Sequence, residues 1–99
     1  MRRAARVDSN HSELVRFARS LGAIIEVIPG SNSSPGRPDL LVGFRGRTFL
    51  LEVKDGSKPP SERELSDNEQ KQQVSWNLHC PGIYRIVTSP KDALDAISR

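Results

Sequence analysis

The sequence predicts a single mixed α/β domain with the element order αβββαβα. Three observations carry that expectation. Asn10 with Glu13, and Ser66 with Glu69, have the spacing of a capping box ahead of a helix. Two strand-like runs flank Arg45-Gly46, a two-residue turn signal. Short β-rich runs, AIIEVI and IYRIVT, follow the first and second helical segments.

The elements follow in order. Asn10 to Leu21 reads as a helix with Leu14, Val15, Ala18 and Leu21 on an apolar stripe that Phe17 widens, and Gly22 stops it. Ala23 to Ile28 is a short strand, and Pro29 to Pro38 (PGSNSSPGRP) is a turn-rich loop. After the two hairpin strands, Asp55 to Glu64 (DGSKPPSERE) is a polar loop. Ser66 caps a second helix running to about His79, with Val74, Leu78 and Trp76 expected to face inward, and Pro81-Gly82 ends it. Ile83 to Thr88 is the last strand. Ser89 then caps a helix with Pro90 in its first turn and Asp92 behind it, docked by Ala93, Leu94 and Ile97.

Bulk properties bound the function. Ninety-nine residues make one domain, spanning 1–99, with a modest core, so dimerisation is a natural source of added stability. The net charge of +3 is mildly basic, with 15 Lys and Arg against 12 Asp and Glu. Arg2, Arg3, Arg6, Arg16 and Arg19 crowd the beginning, and Arg37, Arg45 and Arg47 surround the hairpin. Guanidinium groups match phosphate geometry, which makes nucleic acid a partner to consider. Cys80 is the single cysteine, so neither a disulfide framework nor a cysteine-based zinc site is available, and a reducing cytoplasm fits. The early arginines precede no apolar run, unlike a signal peptide, and no stretch has the length of a membrane span.

The hairpin carries the chemistry. With Arg45-Gly46 as the loop, Phe44 pairs with Arg47, Val42 with Phe49 and Leu40 with Leu51, which brings Asp39 level with Glu52. Strand side chains alternate faces. Leu40, Val42, Phe44, Phe49, Leu51 and Val53 therefore share an apolar face that should meet the helices. Asp39, Leu41, Gly43, Thr48, Leu50, Glu52 and Lys54 share the other. Two carboxylates roughly 5 Å apart repel, and a divalent cation offsets that repulsion best. Lys54 on the same face could hold a water or neutralise charge building on a phosphate. A plain surface reading also exists, in which Asp39 is a strand-end acid and Glu52 and Lys54 are solvated charges.

Pro38-Asp39 and Glu52-Val53-Lys54 resemble the two halves of the PD-(D/E)xK nuclease signature, and the chain is similar to the VRR-NUC branch. The features that carry the likeness are Glu13 in the first helix, Gly36-Arg37-Pro38-Asp39, Glu-Val-Lys after a hairpin, Gln70 in LSDNEQ, and Ser-Pro-Lys-Asp-Ala-Leu after the last strand. They extend from about Val7 to Ile97, and standalone copies of this length resemble those of phages and prophages. The resemblance implies a restriction-endonuclease-like fold, a central mixed sheet flanked by helices, and a metal-dependent DNA endonuclease. It further implies that Asp39, Glu52 and the Val53 backbone carbonyl ligate Mg²⁺ or Mn²⁺ and that Lys54 positions the attacking water. Glu13 would complete the site, against its alternative role as the capping partner of Asn10, and Gln70 would orient Lys54 or the nucleophile.

Standalone members of that branch resemble homodimers that cut branched DNA, including four-way (Holliday) junctions. The expected DNA contacts are Arg37, Arg45, Arg47 and Lys58, with the loops on either side of the hairpin flanking the groove. Neither loop carries aromatic residues for stacking on single strands, which favours duplex or junction DNA. Ser33, Ser34 and Cys80 show no sequence sign of an activated nucleophile, and His11 and His79 form no ligand motif in the sequence, although His11 could touch DNA. Rival classes are a general or nicking duplex endonuclease, an idle nucleic-acid-binding module, and a structural protein whose acidic pair never meets a metal. The Trp76 to Ile86 region is either core or dimer interface.

Overall fold

The computed structural model describes residues 9–99, with side chains from residue 11 onward; Arg2, Arg3, Arg6 and Asp8 lie outside the described residues. The elements are α1 (Ser9–Ser20), β1 (Ile24–Val27), β2 (Leu40–Phe44), β3 (Arg47–Val53), a 3-10 turn (Pro60–Glu62), α2 (Asp67–His79), β4 (Tyr84–Val87) and α3 (Pro90–Ile97). This is the expected αβββαβα order, with the short 3-10 turn added where the double proline stands. The sheet is four-stranded in the order β1-β2-β3-β4. The first three strands are antiparallel neighbours, and β4 runs parallel to β3 after the crossover that carries α2.

The β2–β3 register is the one the turn dictates: Leu40 pairs with Leu51, Val42 with Phe49 and Phe44 with Arg47. Arg45 and Gly46 have φ of 52° and 80°, the left-handed pair of a type I′ turn, whose twist matches the strands. Leu40, Val42, Phe44, Phe49 and Leu51 are buried on one face against Leu14, Val15 and Ala18 of α1 and Ala93 and Ile97 of α3. Arg47 also belongs to that face. Its guanidinium lies 4.9 Å from the Phe49 ring centroid, and Arg45 covers Phe44 in the same way, so both close the end of the core with their charges in solvent.

Three helix expectations need correction. The first helix begins at Ser9, so Asn10 lies inside it and not ahead of it, and a capping box from Asn10 to Glu13 does not match the helix start. Leu21 falls after the helix end and is exposed, and Phe17 sits at the rim of the core. In α2, Val74 and Leu78 point outward, 67% and 73% exposed, and Trp76 is 41% exposed.

The reason lies in directional bonds. The inward positions of α2 are Glu69, Gln72, Gln73 and Asn77, at helical spacing. Asn77 Nδ2 donates to the Tyr84 carbonyl at 3.3 Å, and its Oδ1 accepts from the Tyr84 N–H at 2.9 Å. Gln72 Nε2 donates to Ser34 Oγ at 3.1 Å, and Trp76 Nε1 donates to Gln72 Oε1 at 3.1 Å. The helix is thus attached to the sheet by side-chain amides, and its apolar side chains are left on the outer surface.

The start of α2 follows the expected capping box, with Ser66 Oγ accepting from the Glu69 N–H and Glu69 Oε1 accepting from the Ser66 N–H. The loop before Asp39 packs against this turn. Gly36 has φ of 81°, and a Cβ built there would lie 2.4 Å from the Asn68 carbonyl carbon. Gly36→Ala is therefore expected to lower stability by about 2 kcal/mol or more, through both the left-handed backbone and the clash. Urea unfolding of the variant beside the parent chain measures this.

Candidate active site

Asp39 enters β2 directly after the buried Pro38. Its N–H donates to the Leu51 carbonyl at 3.0 Å, and its Oδ2 accepts from the Val53 N–H at 2.7 Å. The carboxylate thus replaces a main-chain partner at the end of the ladder, which fixes it beside Glu52, one step beyond the Leu40–Leu51 pair. Glu52 sits on the sheet face opposite the main core. It is 4% exposed and is the one buried charged residue among those described.

Lys54 reaches across the same face. Its Nζ is 3.4 Å from Glu52 Oε2 and donates at 2.9 Å to Glu69 Oε1. Tyr84, level with Leu50 on β4, is buried below α2. Glu52 Oε1 and the Tyr84 hydroxyl are both buried here without a well-formed hydrogen bond, although the Tyr84 hydroxyl and the Glu69 carboxyl both lie against Glu52. Buried acceptors are rarely left unmatched, and those that are call for a ligand, ion or function.

The electrostatics are those of crowded acids out of water. Burial, then the charges of Asp39 and Glu69, push the Glu52 carboxyl up to about 8. Burial also raises Asp39, opposed by the Val53 N–H and by the charges of His11 and Lys54. Burial opposes the charge on Lys54, yet the Glu69 hydrogen bond and the Glu52 charge outweigh it and raise its pKa. Glu69 is held below its ordinary value because the Ser66 N–H and Lys54 outweigh its burial. Burial and then the Glu52 charge raise the Tyr84 hydroxyl.

A divalent cation fits this donor set. Among the described residues no cluster of three or more His, Cys, Asp or Glu could hold an ion unaided. Mg²⁺, however, takes one or two carboxylates and completes its shell with waters and substrate phosphate. Asp39 and Glu52, close enough for each charge to act on the other, are the two carboxylates such an ion would bridge or join.

The remaining sequence-derived candidates are dispersed. Glu13 is exposed on α1 and lines a surface hollow with Arg16, Phe17, Ser20 and Pro90, whereas His11 is the α1 residue whose charge acts on Asp39. Gln70 is exposed, and its Nε2 donates to the Leu65 carbonyl at 3.2 Å; Lys54 is met by Glu69, one position earlier. Arg37 Nη1 donates to the Pro29 carbonyl at 3.3 Å. Arg45 and Arg47 stand at the hairpin turn, roughly 20 Å along β3 from Lys54. Lys58 is exposed in the loop that follows Lys54. The sequence reading missed Glu69 as a partner of Lys54 and Tyr84 as a wall of the site. Glu69 was visible only as a cap, and Tyr84 only as a strand residue.

No family model matches this sequence, and no curated protein matches it. Its fold is similar to a solved structure described as a VRR_NUC domain, with a TM-score of 0.67 and 20% identity, covering 93% of this chain and 98% of that one. The chain accordingly has the fold of a VRR-NUC domain, a small α/β unit with a mixed four-stranded sheet flanked by helices. Among the described residues, no helix is long and apolar enough to cross a membrane.

The raised carboxyl of Glu52 predicts a pH dependence. Its ordinary pKa is 4.5, and in the folded chain it is about 8. The folded state therefore holds the proton more tightly. That stabilisation is complete below about 4.5 and is lost as pH rises through about 8. Without added metal, unfolding free energy should fall by more than about 1 kcal/mol from pH 5 to pH 8.5. Glu52→Gln should flatten the profile, as chemical denaturation across that range will show.

Proposed function

We propose that this chain is a metal-dependent DNA endonuclease that hydrolyses phosphodiester bonds. The observation that carries the reading is the buried Glu52 carboxyl beside Asp39, ion-paired with Lys54, on a VRR-NUC fold. Asp39 and Glu52, with the Val53 carbonyl, are the groups that would hold Mg²⁺ or Mn²⁺. When bound, the ion supplies charge neutralisation at the phosphoryl oxygens and makes water a better nucleophile. Lys54 places its ammonium beside those carboxylates, where it orients a water or balances charge arising on the phosphate. Substrate would approach the acidic end of the sheet from the side of the Asp55–Glu64 loop, where Lys58 would meet the phosphate backbone. Arg37 lies on the other flank, and Arg45 and Arg47 offer a distant second contact with phosphates.

The substrate we favour is branched DNA, such as a four-way junction, cut by a homodimer in the cytoplasm of a cell or of a phage-infected host. Two sites related by a two-fold axis suit symmetric cuts in two strands. The outward Val74 and Leu78 of α2, with Trp76 nearby, provide the apolar surface a second copy would cover. Sedimentation velocity should give a dimer for the parent chain and a monomer for Val74→Asp/Leu78→Asp, with the fold retained because neither side chain contributes to the core.

Cleavage of a labelled four-way junction and a matched linear duplex, at one salt concentration, tests the activity. Paired cuts in the junction are expected with Mg²⁺ or Mn²⁺ and none with EDTA. Lys54→Ala should lower kcat by about 100-fold or more. Equal cutting of both substrates would retain the nuclease and discard junction selectivity. Binding without cutting would leave a nucleic-acid-binding module.

A further inference from the structure

Glu69 is shared between two tasks. Its Oε1 accepts from the Ser66 N–H at 2.9 Å, which closes the capping box of α2, and from Lys54 Nζ at 2.9 Å. A capping-box glutamate needs only to turn back on its own helix, with its charge in solvent. This one is drawn over the sheet instead, with its side chain 19% exposed and that of Lys54 18%. A charge-assisted hydrogen bond in such a half-buried place is stronger than one in open water.

The contact also decides where the lysine rests. A lysine stem is flexible, and the ammonium at its end follows the nearest strong acceptor. Two such acceptors on this face are Glu52 and Glu69. Lys54 Nζ is ion-paired with Glu52 Oε2 at 3.4 Å and bonds Glu69 at the shorter distance. Because Glu69 is itself anchored by the Ser66 N–H, the first turn of α2 serves as the mount for the lysine.

We infer that Glu69 is a positioning residue: with Glu52 it clamps the Lys54 ammonium from a second element and so fixes the lysine at one place beside the Asp39–Glu52 pair. The inference rests on the nuclease reading above and adds a residue on a second element to it. Glu69 does not touch the substrate in this account; it acts through Lys54, and because its carboxyl also lies against Glu52, the labelling of Lys54 is the readout that assigns the effect.

Two variants separate positioning from capping. Glu69→Gln keeps the capping box, since glutamine serves there as well, but removes the charge that holds the lysine. Ser66→Ala removes the hydroxyl half of the cap and keeps the backbone N–H and the Lys54 contact. Three readouts are taken on the full chain: thermal midpoint, kcat and KM for DNA cleavage with Mn²⁺, and the rate of competitive amine labelling at Lys54 followed by peptide mass mapping.

Glu69→Gln is expected to keep the parent's KM and to lower the midpoint by no more than Ser66→Ala does. Its kcat should fall by about tenfold or more, the usual size for a lost outer-shell partner, and Lys54 should label several times faster. Ser66→Ala is expected to lower the midpoint by a few degrees with kcat and labelling unchanged. An unchanged labelling rate or an unchanged kcat in Glu69→Gln would overturn the inference, as would equal losses in both variants in step with their stability. If the parent chain cuts no DNA with either metal, the nuclease reading is what fails, and the labelling rates alone still decide whether Glu69 holds the lysine.

Discussion

The alignment of β2 with β3 is the constraint on which the rest of this molecule depends. A two-residue turn with left-handed φ at Arg45 and Gly46 allows one register, and a slip of one residue would turn every side chain to the wrong face. In the observed register the apolar residues of both strands meet α1 and α3, and the acids collect on the other side at the far end. One turn thus sets the core and the candidate site together. The Asp39 carboxylate completes the arrangement by accepting the Val53 N–H, so the ladder ends on a side chain of the candidate site.

The two faces of the sheet are built on different physics. The α1–α3 face is held by buried Leu, Val, Ile and Phe, an interaction without direction that tolerates small shifts. The α2 face is held by Asn77, Gln72 and Glu69, whose hydrogen bonds require particular distances and angles. A polar face gives up some burial energy and gains precise placement. It suits the layer that must hold a lysine and two acids in one geometry, and it leaves Glu52 in a dry setting where its charge is costly unless compensated.

Much of this could be read from the residues alone. All seven principal elements and the hairpin register followed from caps, turn residues and alternation, because those signals act within a few residues. The convergence of Asp39, Glu52 and Lys54 was equally legible, since it needs only the turn and the two-residue period of a strand. The inward face of α2 was not. Val74 and Leu78 look like core residues to any reading based on hydrophobicity, and the amides that hold the helix have their partners far away in the sequence: Ser34 for Gln72, Tyr84 for Asn77. The role of Glu69 was hidden for the same reason, since its local partner Ser66 already accounted for it.

The sequence by itself therefore determined the order of elements, the hairpin and the acidic pair, each a consequence of local backbone geometry. The tertiary structure alone decided which side of α2 meets the sheet, which residue holds Lys54, and that Glu52 is sealed from water. Those outcomes depend on groups distant in the chain that meet only when the β3–α2–β4 crossover closes, and no local pattern records that meeting.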